Sequence, residues 1–126
     1  MPVSHKWPID HGLEALLSMN GEVFVLELGF WVKMEAWRVA TDQHRPHGIR
    51  YCFTLHDKNQ QRLLGYDNAH AVRGQKRVSS ARKTEWDHRH EAEAVHGYTF
   101  VSAEQLLVDF WSDVERLLQV SECPTK

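Results

Sequence analysis

The sequence predicts an α+β fold: an antiparallel sheet of about four strands in meander order, one face covered by a C-terminal helix, with a short N-terminal helix added to that layer. Two periodicities predict it. Between Glu22 and Asn68, apolar residues recur at every second position in four runs separated by turn signals. From Ser102 to Gln119 the spacing changes to threes and fours, the repeat of an amphipathic helix. A length of 126 residues fits a single domain with enough apolar content to close one core.

Met1 to Asp10, with Pro2 and Pro8, reads as a flexible arm on which Trp7 is available to dock on the body. Leu13, Leu16 and Leu17 in the stretch from Gly12 to Met19 have helical spacing, and so short a helix has to pack to persist. Asn20-Gly21 is a turn signal. Glu22 to Leu28 alternates as a strand, with Val23 and Val25 on one face and Phe24, Leu26 and Leu28 on the other, and Gly29 marks a turn or bulge.

The second run buries Phe30, Val32, Met34 and Ala36 and turns Trp31, Lys33, Glu35 and Trp37 the other way. After a polar loop from Thr41 to His47, the third strand, Gly48 to His56, alternates most clearly. Ile49, Tyr51, Phe53 and Leu55 form its apolar side, and Arg50, Cys52, Thr54 and His56 its polar side. Asp57-Lys58-Asn59-Gln60 suits a hairpin, with Asp as a cap and Asn tolerant of positive φ. Arg62 to Asn68 returns as the fourth strand, with Leu64 and Tyr66 opposite Leu63, Gly65 and Asp67.

Residues 69–85 break this pattern as a long basic insertion, and a connection of this length in a small domain points to function or mobility. Gly97 to Val101 reads as a short edge strand. The helix over residues 102–119 opens with a capping box, Ser102 and Gln105, and a staple, Val101 with Leu106. Leu106, Leu107, Phe110, Trp111, Val114, Leu117 and Leu118 line its core face, and no chemistry is assigned to it.

Composition excludes several classes. Cys52 and Cys123 make no disulfide framework and match no zinc spacing. No apolar run approaches the roughly 18 to 20 residues that span a bilayer, and the first ten residues lack the apolar core of a signal peptide. These features predict a cytoplasmic protein with reduced thiols and no membrane partner. The formal net charge of −2 gives no overall pull toward nucleic acid, so any such binding has to come from a local basic patch.

The chemistry concentrates in Trp86-Asp87-His88-Arg89-His90. In an extended chain His88 and His90 share a face while Arg89 points away. Three readings stay open. In the first, His88 and His90 act as acid and base in metal-independent RNA cleavage, Asp67 orients a histidine, and Arg89 and Arg50 hold phosphate. No cofactor is needed for it. In the second, the insertion is a non-catalytic clamp for RNA or a protein: Arg73, Lys76, Arg77, Arg82 and Lys83 grip the backbone and Trp86 stacks on an unpaired base. In the third, Asp87, His88 and His90, joined by Asp67, bind a transition metal. The bland alternative is a polar loop in which the histidines cap strand ends and Arg89 pairs with Asp87.

The run Gly65-Tyr66-Asp67-Asn68 followed by His88-Arg89-His90 resembles the TumE-type toxin family of prokaryotic toxin–antitoxin modules. Trp37-Arg38-Val39, the His47 to Leu55 strand, Tyr98-x-Phe100 and Leu106-Leu107-x-Asp109-Phe110-Trp111 fit the same pattern, which covers most of the chain from Glu22 to Leu118. The resemblance implies a toxin neutralised by an antitoxin encoded beside it, the antitoxin carrying a DNA-binding domain. It makes Asp67, His88, Arg89 and His90 the residues to carry over. In the family pattern the two motif pieces lie closer together, often with an acid soon after the Asn; here Ala69-His70 and the basic insertion follow.

Overall fold

The computed structural model describes residues 12–43, 45–68 and 87–122. The N-terminal arm, the basic insertion with Arg73, Lys76, Arg77, Arg82 and Lys83, and Trp86 lie outside the described residues. Helix α1 spans Leu13–Ser18, followed by strands β1 (Glu22–Val25), β2 (Trp31–Arg38), β3 (Ile49–His56), β4 (Arg62–Asp67), β5 (His88–Glu91) and β6 (Ala94–Gly97), and helix α2 (Ala103–Glu122) closes the chain. The strands form one six-stranded antiparallel meander in sequence order. Among the described residues, no helix is long and apolar enough to cross a membrane.

Alternation decides which face is buried. Val32, Met34 and Ala36 of β2, Ile49, Tyr51, Phe53 and Leu55 of β3, and Leu64 and Tyr66 of β4 point to one side and are buried there. Leu106, Phe110 and Val114 of α2 and Leu16 of α1 complete that core. The ring of Phe110 meets Phe53 and Tyr66 edge-on, with centroids 5.3 and 5.6 Å apart. A Cβ at Gly12 would stand 2.5 Å from the Glu104 Cα, so only glycine lets the start of α1 come this close to α2.

Several local expectations change. Strand β1 ends at Val25 because a 3-10 turn, Glu27–Gly29, follows; Leu28 adopts φ 61 there and is exposed. The carboxylate of Asp57 caps its hairpin by accepting from the Asn59 and Gln61 amides at 2.8 and 3.0 Å. The positive φ falls on Gln60, not Asn59. Two strands join the sheet beyond the expected four. The final one occupies Ala94–Gly97, three residues before the expected edge strand, because a tight turn at Ala92-Glu93 pairs Glu91 with Ala94.

The amide of Gln105 donates to Ser102 Oγ at 3.0 Å, which makes half of the capping box. The Gln105 side chain turns to Asp109 instead of closing the other half, and Val101 is too exposed to staple Leu106.

Candidate functional site

The β4–β5 pairing builds the site. Antiparallel register sets Asp67 opposite His88 and Gly65 opposite His90. On the sheet face away from α2, Asp67 then stands between two imidazoles. His88 Nε2 lies 3.1 Å from Oδ1 and His90 Nε2 lies 3.3 Å from Oδ2, so each ring uses its own carboxylate oxygen. The two rings meet edge-to-face with centroids 4.9 Å apart.

Burial distinguishes the two histidines. His88 is only 4% exposed, and its Nδ1 has no hydrogen-bond partner among the described residues. The side chain of His90 keeps 17% exposure, so it is the more solvent-accessible imidazole of the two. Burial by itself raises the Asp67 carboxyl, but the hydrogen bonds and charges of His88 and His90 together outweigh that effect and hold it well below the usual carboxylate range. Asp67 is therefore a fixed anion at neutral pH.

Arg50 shares this face, two residues along β3 from Cys52, which is the register partner of Asp67. Its guanidinium lies 5.2 Å from the Trp37 ring centroid, and its buried Nε has no hydrogen-bond partner among the described residues. Arg62 is a second cation on this face that sequence reasoning missed. Its side chain crosses Gly65, where a Cβ would stand 3.4 Å from Nη1, and Gly65 is the register partner of His90. The signal for it was a glycine in mid-strand, which marks a place where another group passes close.

Two expected site residues fall on the opposite face. Arg89 follows the alternation toward α2, where Nη1 donates to Glu91 Oε1 at 2.7 Å and to Asp113 Oδ2 at 3.4 Å. It does not meet the histidines. Asp87 also turns to the helix side: its Oδ2 accepts from the Tyr51 hydroxyl at 2.8 Å and contacts His47 Nε2 at 3.2 Å. His47 Nδ1 meanwhile accepts from the Ile49 amide at 3.3 Å, which places the proton on Nε2, aimed at Asp87. Of the residues expected as alternative metal ligands, Asp87 thus stands apart from His88 and His90, while Asp67 meets them. One ligand atom each from Asp67, His88 and His90 lies within 4.8 Å of the others.

The last three residues of β4 and Asn68, which follows it, have separate tasks. Gly65 admits Arg62, Tyr66 enters the core and donates from its hydroxyl to Asp113 Oδ2 at 2.7 Å, and Asp67 holds the imidazoles. Asn68, fully buried, continues the ladder with its side chain, accepting from the Tyr51 amide at 3.0 Å and donating to the Ile49 carbonyl at 2.8 Å. His56 stays apart from the site, stacked on Trp31 and 2.9 Å from Thr54 Oγ1.

Fold and site define a small α+β protein with one helix-covered sheet face and one that no described helix covers, the latter bearing a carboxylate-bridged histidine pair beside two guanidiniums. The family described as Toxin TumE matches residues 14–118, a span that contains all six strands, most of both helices and every residue of this cluster. The chain belongs to the TumE toxin family. Membership in a toxin family implies a cognate antitoxin. No curated protein and no solved structure gives a match.

Proposed function

We propose that the protein is the toxin of a toxin–antitoxin module and acts in the cytoplasm on RNA, as a metal-independent endoribonuclease. The observation that supports this reading best is the single carboxylate, Asp67, holding His88 and His90 on a face that also presents Arg50 and Arg62. In this reading His90 is the proton-transfer group, because it is the exposed member of the pair. Asp67 fixes its tautomer and direction, and the buried His88 secures Asp67 from behind. His90 removes the proton of a ribose 2′-hydroxyl, the 2′-oxygen attacks phosphorus, and the bond to the 5′-oxygen breaks. The products are a 2′,3′-cyclic phosphate and a 5′-hydroxyl, the leaving oxygen taking its proton from solvent. Arg50 and Arg62 stabilise charge on the phosphoryl oxygens.

The partner in this proposal is an antitoxin with a DNA-binding domain, encoded beside the toxin. Arg73, Lys76, Arg77, Arg82, Lys83 and Trp86 serve as auxiliary RNA contacts, so neutralising the five cations should lower the salt slope of RNA binding. An unchanged slope removes them from the interface.

A metal-dependent reading has one observation in its favour, the convergence of Asp67, His88 and His90 within 4.8 Å. Opposing it, a metal-bound imidazole normally donates its second ring nitrogen to an acceptor, and His88 Nδ1 has none among the described residues. The deciding experiment is cleavage of total cellular RNA by purified protein, with and without EDTA, beside His90→Ala. EDTA-resistant cleavage that is lost in the variant supports acid–base chemistry. Cleavage abolished by EDTA and restored by zinc transfers the site to the metal reading. No cleavage by any form removes the endoribonuclease assignment.

A further inference from the structure

Helices α1 and α2 contribute to the core on one side of the sheet, and the other face carries large aromatic groups that no described helix covers. Alternation along β2 turns Trp31 and Trp37 onto it, at the two ends of the strand. Trp37 remains 37% exposed, with the Arg50 guanidinium 5.2 Å from its ring centroid. Trp31 lies nearly parallel to the His56 ring, 4.0 Å between centroids and 11° between planes. Six residues of rise separate the tryptophans by about 20 Å, and Asp67 sits two strands across, about 10 Å from β2. In register it lies level with Glu35, between the two tryptophans along the strand.

Charge on this face is also unbalanced. Lys33 pairs with Glu35 at 3.6 Å, and the one further acid among the described residues, Asp67, contacts two histidines and neither arginine. That leaves the guanidiniums of Arg50 and Arg62, neither of which has an acidic partner among the described residues. One exposed and one half-buried indole beside guanidiniums that make no ion pair among the described residues fit a ligand with both aromatic faces and anionic linkers. A strand with unstacked bases offers both, whereas an A-form duplex hides its base faces within the stack. Sheets that recognise RNA use this layout, stacking two or three unpaired bases on strand aromatics.

We infer that the open sheet face is a stacking platform for single-stranded RNA. Trp37 with Arg50 forms one base seat, Trp31 on His56 forms a second, and Arg62 grips the backbone where it passes His90. The inference rests on the reading of this toxin as RNA-directed, but it does not depend on the strand being cut.

The test is fluorescence anisotropy of the full-length protein with a short, mixed-sequence 2′-O-methyl RNA, single-stranded or annealed to its complement. The methyl group blocks the nucleophile, so binding is read without cleavage. Single strand should bind about tenfold tighter than duplex at equal salt. Trp37→Ala should weaken single-strand binding about 5- to 100-fold, the factor set by loss of one base stack, and Trp37→Phe should restore most of it. Arg116→Gln, on the helix side, should leave it unchanged, and circular dichroism checks that each variant is folded. Should Trp37→Ala unfold the chain, Trp37→Phe and Trp31→Phe replace it, each with a smaller loss of single-strand affinity.

Equal or tighter binding of duplex, or indifference to Trp37→Ala, overturns the platform. So does absence of binding combined with self-association that Trp37→Ala abolishes, which would give the face to a second copy of the chain. Cleavage of unmodified RNA by the same preparations separates the two proposals. Binding without cleavage keeps the platform and removes the endoribonuclease; cleavage without Trp37-dependent binding does the reverse.

Discussion

Strands β4 and β5 present two polar networks back to back, built from similar residues and opposite in character. On the helix side, Tyr66, Arg89 and Glu91 meet Asp113 and Arg116 of α2, and every charge has an opposite within 3.4 Å. On the open side, Asp67, His88 and His90 form a shorter chain of contacts, with Arg50 and Arg62 nearby and neither in an ion pair among the described residues. The closed network joins a helix to a sheet and pairs each of its charges with an opposite one. The open one holds spare donors in a place that solvent reaches. Charged residues in one short motif thus divide between the two faces of the sheet by the parity of their position in the strand.

The largest expected effect breaks this symmetry. His90→Ala should lower RNA cleavage by about 10²- to 10⁴-fold, the contribution of a positioned acid–base group, while thermal unfolding stays close to the parent protein. Arg89→Ala, one residue away, should keep its cleavage rate per folded molecule and lose stability. Measuring both quantities on both variants decides the division; activity lost with Arg89 and stability lost with His90 would invert it.

Next in size is the closed network. Asp113→Ala leaves the Tyr66 hydroxyl, in a residue only 3% exposed, with only its longer contact to the Asp109 carbonyl at 3.4 Å and removes one anion from Arg89. Urea unfolding should show a loss of about 1–3 kcal/mol. Adding Tyr66→Phe to Asp113→Ala should recover part of it, since the stranded hydroxyl is then gone. Strict additivity of the two changes would mean that the hydrogen bond contributes little.

These expectations also show what the sequence made legible. Strands β2, β3 and β4 and helix α2 follow from runs such as Ile49-Arg50-Tyr51-Cys52-Phe53, whose apolar period survives folding intact. The β5–β6 hairpin does not, because its turn, Ala92-Glu93, contains neither Gly nor Asn and still places Ala92 at φ 55. Within the site, the common face of His88 and His90 follows from a spacing of two. The same rule turned Arg89 away, and assigning it to phosphate beside the histidines ignored that consequence. The choice of Asp67 over Asp87 as the histidines' acid depends on strand register across a long connection, a tertiary fact absent from local pattern. Arg62 was hidden for the same reason, since it reaches the site by lying over Gly65.

Acid should affect both faces in the same direction but with different sensitivity to salt. A carboxyl whose folded pKa is depressed adds stability that is fully present above its unfolded value and is lost as pH falls toward the folded one. For Asp67 that loss begins below 3.8. For Glu91, pulled down by hydrogen bonds from Arg116 and Arg89, it runs from 4.5 to about 2. Asp67→Asn and Glu91→Gln should each flatten the slope of unfolding free energy against pH in this range. Added salt should weaken the Glu91 contribution more, because its partner Arg116 is 46% exposed while the Asp67 side chain is 14% exposed. Equal salt sensitivity would mean that the two faces differ less in solvent access than the geometry requires.

The smallest effect probes the open face's own field. Burial, followed by the charges of Asp67 and Glu35, pushes the Cys52 thiol up to about 11, so at neutral pH it is almost wholly protonated and should react slowly with iodoacetamide. Asp67→Asn removes the anion with the larger effect on the thiol, one of the two register partners of Cys52, and leaves most of the burial in place. Thiolate then becomes easier to form, and alkylation at fixed pH should accelerate by a few-fold; Glu35→Gln should do the same to a lesser degree, and Asp113→Asn, across the sheet, not at all. Peptide-level mass spectrometry separates Cys52 from Cys123. A rate that ignores Asp67 would show that desolvation alone sets this thiol, and that the Asp67 charge is neutralised by its histidines before it reaches the next strand.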